Sequence, residues 1–323
     1  MIFIDDLKLN VQEAKKKHYT AVFNYLKRSH LKIDKDVNRF IKNNVESLII
    51  GKPDELIQLN ENFYNSLRNY NYDEYLSYLN LPTKGKTAAQ NKLKRKYDRL
   101  HKRLEKIINY TNWFTKSPKH YDYLLAEGLN IISCTYCNRI YTNTMKSEKG
   151  QKVMRPQFDH WFPKSKFPLL ALSFYNLIPS CSVCNSSAKS DTIFYLDKHL
   201  HPYVDNDVLK RFSFSYDYYK SSNKYTIKIS HKYGDLKAYR TFSDMNLKVM
   251  FNAHISELQD LIMTKKTYSN SYLKNMIKAY PDANLSYEEV YRLAFGTEFK
   301  EEDFFKRPFS KFKSDILKQL KLI

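Results

Sequence analysis

The 323-residue sequence predicts an α+β fold, mainly helical, with a small central core flanked by helical regions and one β-hairpin. Three observations predict it. Apolar residues recur at three- and four-residue steps through both flanks, as one face of a helix requires. The runs 211–219 and 224–233 alternate apolar and polar residues around the turn KSSN, which is the period of a hairpin. All four cysteines fall in two C-x-x-C pairs near the middle of the chain. Four regions follow: a basic helical N-terminal region (1–118), a core (119–203), a β-hairpin (204–240) and a C-terminal helical region (241–323).

In the N-terminal region, VQEAKKKHYTAVFNYLKRS (11–29) and ELIQLNENFYNSLRNY (55–70) carry the helical period. The stretch LNLPTKGKT (79–87) breaks it with Pro and Gly, and a long helix is expected at 91–110. Leu93, Tyr97, Leu100, Leu104 and Ile107 form its apolar stripe. Its other faces carry Lys92, Lys94, Arg95, Lys96, Arg99, Lys102, Arg103 and Lys106, diluted only by Asp98 and Glu105. Such a helix can lie along a phosphate backbone, although a solvated face on a core helix gives the same pattern.

The whole chain is basic, with 54 Lys and Arg against 34 Asp and Glu and a net charge of +20. That balance calls for a polyanionic partner, nucleic acid or an anionic membrane surface. The longest apolar run, 167–178, is too short and too interrupted to span a bilayer. Asp5 and Asp6 stand where a secretory signal carries its basic residues. Nucleic acid is therefore the expected partner, with no membrane, and a cytoplasmic location is expected for cysteines spaced as metal ligands rather than as disulfides.

Cys134 and Cys137 form one pair and Cys181 and Cys184 the other, with 43 residues between them. A C-x-x-C turn brings two thiolates onto one ion, and two turns complete the tetrahedral Cys₄ shell of a structural Zn²⁺. The segment between the pairs contains RPQFDHWFPKSKFPLLALSFYNLIPS (155–180), and Asn185 follows the last cysteine. A histidine such as His160 suits the activation of water, and Mg²⁺ is well held by one carboxylate and one amide oxygen. Adjacent residues on a regular strand face opposite ways, so a bend is expected at Asp159–His160, with Pro163 ending the strand. A second strand at 175–179 and a helix from near Ser182 would set Asn185 and Lys189 on one face.

The order C-x-x-C, Asp159-His160, Asn176, C-x-x-C, Asn185 resembles the HNH nucleases of the ββα-metal superfamily. It is most similar to members with two zinc knuckles, of the phage T4 endonuclease VII type, over residues 131–191. The resemblance implies an HNH endonuclease, with His160 as general base and one Mg²⁺ or Mn²⁺ on Asp159 and Asn185. Asn176 would brace the loop, and cleavage would leave 5′-phosphate and 3′-hydroxyl ends. Asn185 replaces the final histidine of the family pattern and favours a hard cation.

DNA is favoured over RNA as the substrate. Arg139, Lys164, Lys166 and Lys189 are candidate phosphate contacts, together with Lys92, Arg95, Arg99 and Arg103 of the basic helix. The surroundings of the motif also resemble the nuclease subunits of Septu anti-phage systems, which work with an ABC-type ATPase. A restriction or mobile-element nuclease fits the same residues. The competing class is a non-catalytic zinc module that binds nucleic acid. Two further motifs carry weaker signals. His199 and His201 alternate as a ligand pair would, but a turn ending at Pro202 accounts for them more simply. The stretch 304–312 interleaves aromatics and cations, and a core-anchoring turn explains it better than base stacking.

Overall fold

The computed structural model describes residues 1–28, 35–82, 87–267, 272–279 and 284–323. Helices α1 (Leu9–Arg28), α2 (Lys35–Asn43), α3 (Val45–Ile50), α4 (Pro53–Ser66), α5 (Tyr72–Leu79) and α6 (Ala88–Ile108) build the N-terminal region. Ser29, and residues 83–86 of the Pro/Gly break, lie outside the described residues. On α1, Val11, Ala14, His18 and Val22 follow the three- and four-residue steps and are buried. On α6, Tyr97, Leu100, Leu104 and Ile107 are buried and Leu93 packs against them, as the stripe requires.

Local chemistry sets where these helices start. Pro53 opens α4, and the Glu55 carboxylate accepts the Lys52 N–H at 3.0 Å. The Asn71 side chain accepts the Glu74 N–H at 2.7 Å to begin α5, and Thr87 and Gln90 form a capping box at α6. α6 stops where Asn109 turns left-handed at φ 42°, and a π-helical turn, Tyr110–Thr115, leads towards α7 (Tyr121–Leu129).

The central region has two short antiparallel pairs. β1 (Met145–Lys146) pairs with β2 (Lys152–Met154), and β3 (Gln157–His160) pairs with β4 (Leu177–Ser180). Behind β4 comes a seven-residue π-helical segment, Val183–Lys189. Residues 161–171, which leave β3, are held by the N-terminal helices: Tyr75 Oη–H donates to Lys166 O at 2.8 Å, and His101 Nδ1 meets Ser165 O at 3.2 Å.

The expected hairpin forms as β5 (Phe212–Tyr219) and β6 (Lys224–His231), paired from Phe212–His231 to Tyr219–Lys224. α8 (Leu236–Asp244), α9 (Leu247–Asn252), α10 (Ile255–Thr267), α11 (Tyr272–Ala279), α12 (Tyr287–Phe295) and α13 (Ser310–Gln319) complete the chain. Phe214 of β5 packs on Phe251 and Phe312, which joins the hairpin to α9 and α13. The chain is thus α+β and mainly helical. Among the described residues, no helix is long and apolar enough to cross a membrane.

Candidate active site beside a four-cysteine cluster

Cys134, Cys137, Cys181 and Cys184 are buried, and their sulfurs all lie within 4.8 Å of one another. Tetrahedral Zn–S bonds of ~2.3 Å place sulfurs about 3.8 Å apart, so this cluster can hold a zinc ion with little adjustment. Backbone N–H groups point at three of the sulfurs: Cys181 at Cys134 Sγ (3.2 Å), Arg139 at Cys137 Sγ (3.4 Å) and Cys184 at Cys181 Sγ (3.5 Å). Four thiolates would fill the coordination sphere, so a zinc ion held here would have no open position for chemistry.

The first knuckle is anchored from far along the chain. Asn138, left-handed at φ 50°, donates its amide to Ser133 Oγ (2.8 Å), Phe304 O (2.9 Å) and Arg307 O (3.1 Å). Its own carbonyl accepts the Phe309 N–H at 2.5 Å. The motif at 304–312 is therefore a core-anchoring turn, with Phe304 and Phe312 buried.

β3 presents its two key residues on opposite faces. The strand stays paired through His160–Leu177, so the expected bend between Asp159 and His160 does not occur; regular pleating continues and the chain departs only after His160. On one face, Asp159 accepts the Tyr136 hydroxyl at 2.6 Å and the Lys189 ammonium at 3.3 Å. Burial raises the Asp159 pKa, against the lowering pull of Lys189 and Tyr136. Asn185, one turn before Lys189, donates its amide to Gln157 Oε1 at 2.7 Å. The pair expected to share a cation is thus divided. The Asn185 Nδ2 is turned to Gln157, and both Asp159 oxygens face Lys189 or Tyr136.

On the other face, His160 Nε2 lies 3.0 Å from Ala171 O, and the Tyr110 ring meets the imidazole edge-on at 4.5 Å. Burial first, then Lys164, lowers the His160 pKa to about 3, so the ring is neutral. Its contacts Tyr110 and Ala171 both line a surface cleft of about 510 Å³, with Lys102, Lys106 and Lys164 around it. Lys164 is exposed, with its ammonium 5.1 Å from the centre of the Tyr110 ring.

Asn176 bridges the segment that follows β3. Its Oδ1 accepts the Phe162 N–H at 2.7 Å, and its Nδ2 donates to Phe162 O (3.2 Å) and Leu170 O (2.9 Å). The Asn176 carbonyl accepts the Trp161 N–H at 3.0 Å. Because Ala171 supplies the carbonyl facing His160, this clamp also fixes the imidazole.

The remaining basic candidates separate into two groups. Arg139 is buried and spends its guanidinium on Met250 O (3.2 Å) and His254 Nε2 (2.7 Å), so it holds the fold together and is not free to meet a phosphate. Lys189 is likewise enclosed, on Asp159. Lys166 lies half-buried over the Tyr78 ring, and Arg103 reaches Tyr70 Oη at 3.4 Å. Lys92, Arg95, Arg99, Lys102 and Lys106 are exposed at three- and four-residue steps along α6. This basic stripe rises about 21 Å and ends at the cleft lined by Tyr110 and Ala171, behind which His160 is buried. His199 and His201 do not meet as ligands: His199 stacks on Phe194 and pairs with Asp244, whereas His201 packs on Trp161.

Comparison with known proteins gives one partial likeness. Protein ea31 of Escherichia phage lambda is 29% identical over 82 residues, which cover 23% of this chain and 28% of that protein. No family model matches the chain. No solved structure matches it either.

Three contributors to the site escaped the sequence. Tyr110 comes from the turn after α6, Tyr136 lies between the cysteines of the first knuckle, and Gln157 stands two residues before Asp159. Only Gln157 carried a signal, since residues two apart on a strand share a face.

Proposed function

We propose that this chain is an HNH-type endonuclease that hydrolyses phosphodiester bonds of nucleic acid, DNA by preference, with His160 as general base. One observation carries the reading. His160 Nε2 faces a carbonyl, which only accepts, so Nε2 holds the ring hydrogen and Nδ1 keeps its lone pair. Among the described residues, Nδ1 has no hydrogen-bond partner. A neutral imidazole with a free lone pair can take a proton from water as the water attacks phosphorus. A bound phosphodiester anion favours the imidazolium, so the proton affinity of His160 rises as the cleft fills. Lys102, Lys106 and Lys164 supply positive charge around the developing oxyanion and the departing oxygen. The stripe on α6 offers a track for the flanking phosphates.

The resemblance also implies Mg²⁺ or Mn²⁺, but Asp159 and Asn185 do not fit such an ion as they are arranged. Both Asp159 oxygens face Lys189 or Tyr136, and the Asn185 amide N–H is turned to Gln157, so the carboxylate such an ion needs is already taken. A role in anti-phage defence beside an ABC-type ATPase belongs to the same proposal, and an adjacent ATPase gene is its direct check.

The test compares wild type with His160→Ala on DNA and RNA, in Mg²⁺, in Mn²⁺ and in chelator too weak to strip the cysteine site. Cleavage lost in the variant, with zinc content and melting retained, is the expected result. Equal cleavage by both proteins sinks the reading. The burial of Asp159 and His160, at 2% and 7% exposure, favours a second reading: a zinc-containing module that binds nucleic acid without cutting it. It expects His160→Ala to bind as wild type does, with no cleavage by either protein.

A further inference from the structure

The face of β3 away from the cleft holds a buried charge pair, Lys189 with Asp159. Lys189 is fully enclosed at 0% exposure, which is rare for a lysine without a partner. Its ammonium stands 3.4 Å from Asp159 Oδ1 and 3.3 Å from Oδ2, and donates to His160 O at 2.7 Å. The Phe194 ring covers it with its centre 5.1 Å away. The position follows from the π-helical segment. The Ser190 N–H reaches back five residues to Asn185 O at 3.0 Å, and Ser190 takes a positive φ of 48°, which ends the segment directly after Lys189.

These are surroundings suited to a cation, with a carboxylate and a carbonyl around it. A Mg²⁺ ion would need near-octahedral oxygens at ~2.1 Å and would keep several waters. Here both carboxylate oxygens already face N–H or O–H donors, the pocket is sealed from solvent, and a divalent ion would stand against a buried ammonium.

We propose that Lys189 is the built-in cation of this site. Its ammonium takes the place of a divalent ion on Asp159, and through the His160 carbonyl it fixes the backbone that carries the His160 ring. Lys189 is thus a positioning residue. The inference rests on the nuclease reading only for the role of His160; the occupancy of Asp159 by an ammonium does not depend on cleavage.

The test is a Mn²⁺ titration of the zinc-loaded full chain, followed by paramagnetic broadening of the His160 and Tyr136 resonances. Wild type and Lys189→Arg are expected to show no site-specific broadening up to about 1 mM Mn²⁺. Lys189→Met is expected to gain broadening at those residues, with Mn²⁺ affinity about tenfold or more above wild type, and adding Asp159→Asn removes the gain. Broadening at His160 in the wild type overturns the proposal, as does a folded Lys189→Met that behaves as wild type does. If Lys189→Met does not fold, the wild-type titration decides alone. A failed nuclease reading would show in the cleavage assay and leave this titration unchanged.

Discussion

Asn176 holds the backbone of Phe162 on both sides of its Cα: its Oδ1 accepts the Phe162 N–H at 2.7 Å and its Nδ2 donates to the Phe162 carbonyl at 3.2 Å. One side chain therefore determines the path of the chain as it leaves β3, and with it the seat of the His160 ring.

Asn176→Ala leaves those two backbone groups and the Leu170 carbonyl buried without their side-chain partner. Each such group costs about 1–3 kcal/mol, so denaturant unfolding should register a loss of several kcal/mol. On the nuclease reading, cleavage falls further than stability does, because Ala171 no longer holds His160 Nε2. Zinc content should stay at the wild-type level, since Asn176 makes no contact with the cysteines.

The stripe on α6 makes a prediction about salt. Changing Arg95, Arg99 and Lys102 together to Ala should weaken nucleic-acid binding across all sequences and flatten its dependence on salt. The slope of log K against log salt should fall by about one unit for each phosphate contact removed. Unaltered binding in a filter or anisotropy assay would show that the stripe is only a solvated face. Arg139→Ala serves as the contrast, with a lower melting temperature and no change in slope.

Four of the five buried histidines among the described residues govern behaviour in acid. Burial lowers His18 and His101 to about 4 and His160 and His201 to about 3, from an ordinary value of 6.5. The unfolded chain therefore takes up these protons before the folded chain does. Their contribution to stability is fully present above pH 6.5 and is lost as pH falls from there towards 3. Thermal melts between pH 7 and pH 4.5 should show a steep decline. His18→Gln should bind about one proton fewer on unfolding over that range.

Cys181→Ser removes one of the four sulfurs and should leave the purified chain with far less than one zinc per molecule. Because the cluster ties the start of β4's following segment to the first knuckle, the melting temperature should fall and β3–β4 should lose protection against hydrogen exchange. A strong chelator should reproduce both effects in the wild type, and added zinc should reverse them.

Much of this site was legible because its chemistry is local in sequence. C-x-x-C spacing places two sulfurs by itself, and the α6 stripe announces its buried face by periodicity alone. What the sequence concealed depends on partners far along the chain. Arg139 reads as a surface cation until His254, 115 residues away, takes its guanidinium. Lys189 reads as a phosphate contact until Asp159, thirty residues earlier, takes its ammonium. The bend expected at Asp159–His160 followed from assigning both residues to one site; once they serve two faces, an ordinary strand suffices.

The seat of Asn138 has a consequence for synthesis. Its partners Phe304, Arg307 and Phe309 leave the ribosome some 170 residues after the first knuckle does. A nascent chain can gather all four cysteines long before that turn arrives to lock the knuckle in place. If the cysteines take up zinc, capture can thus precede final closure, and a chain halted between the two would hold its cluster without the Asn138 lock.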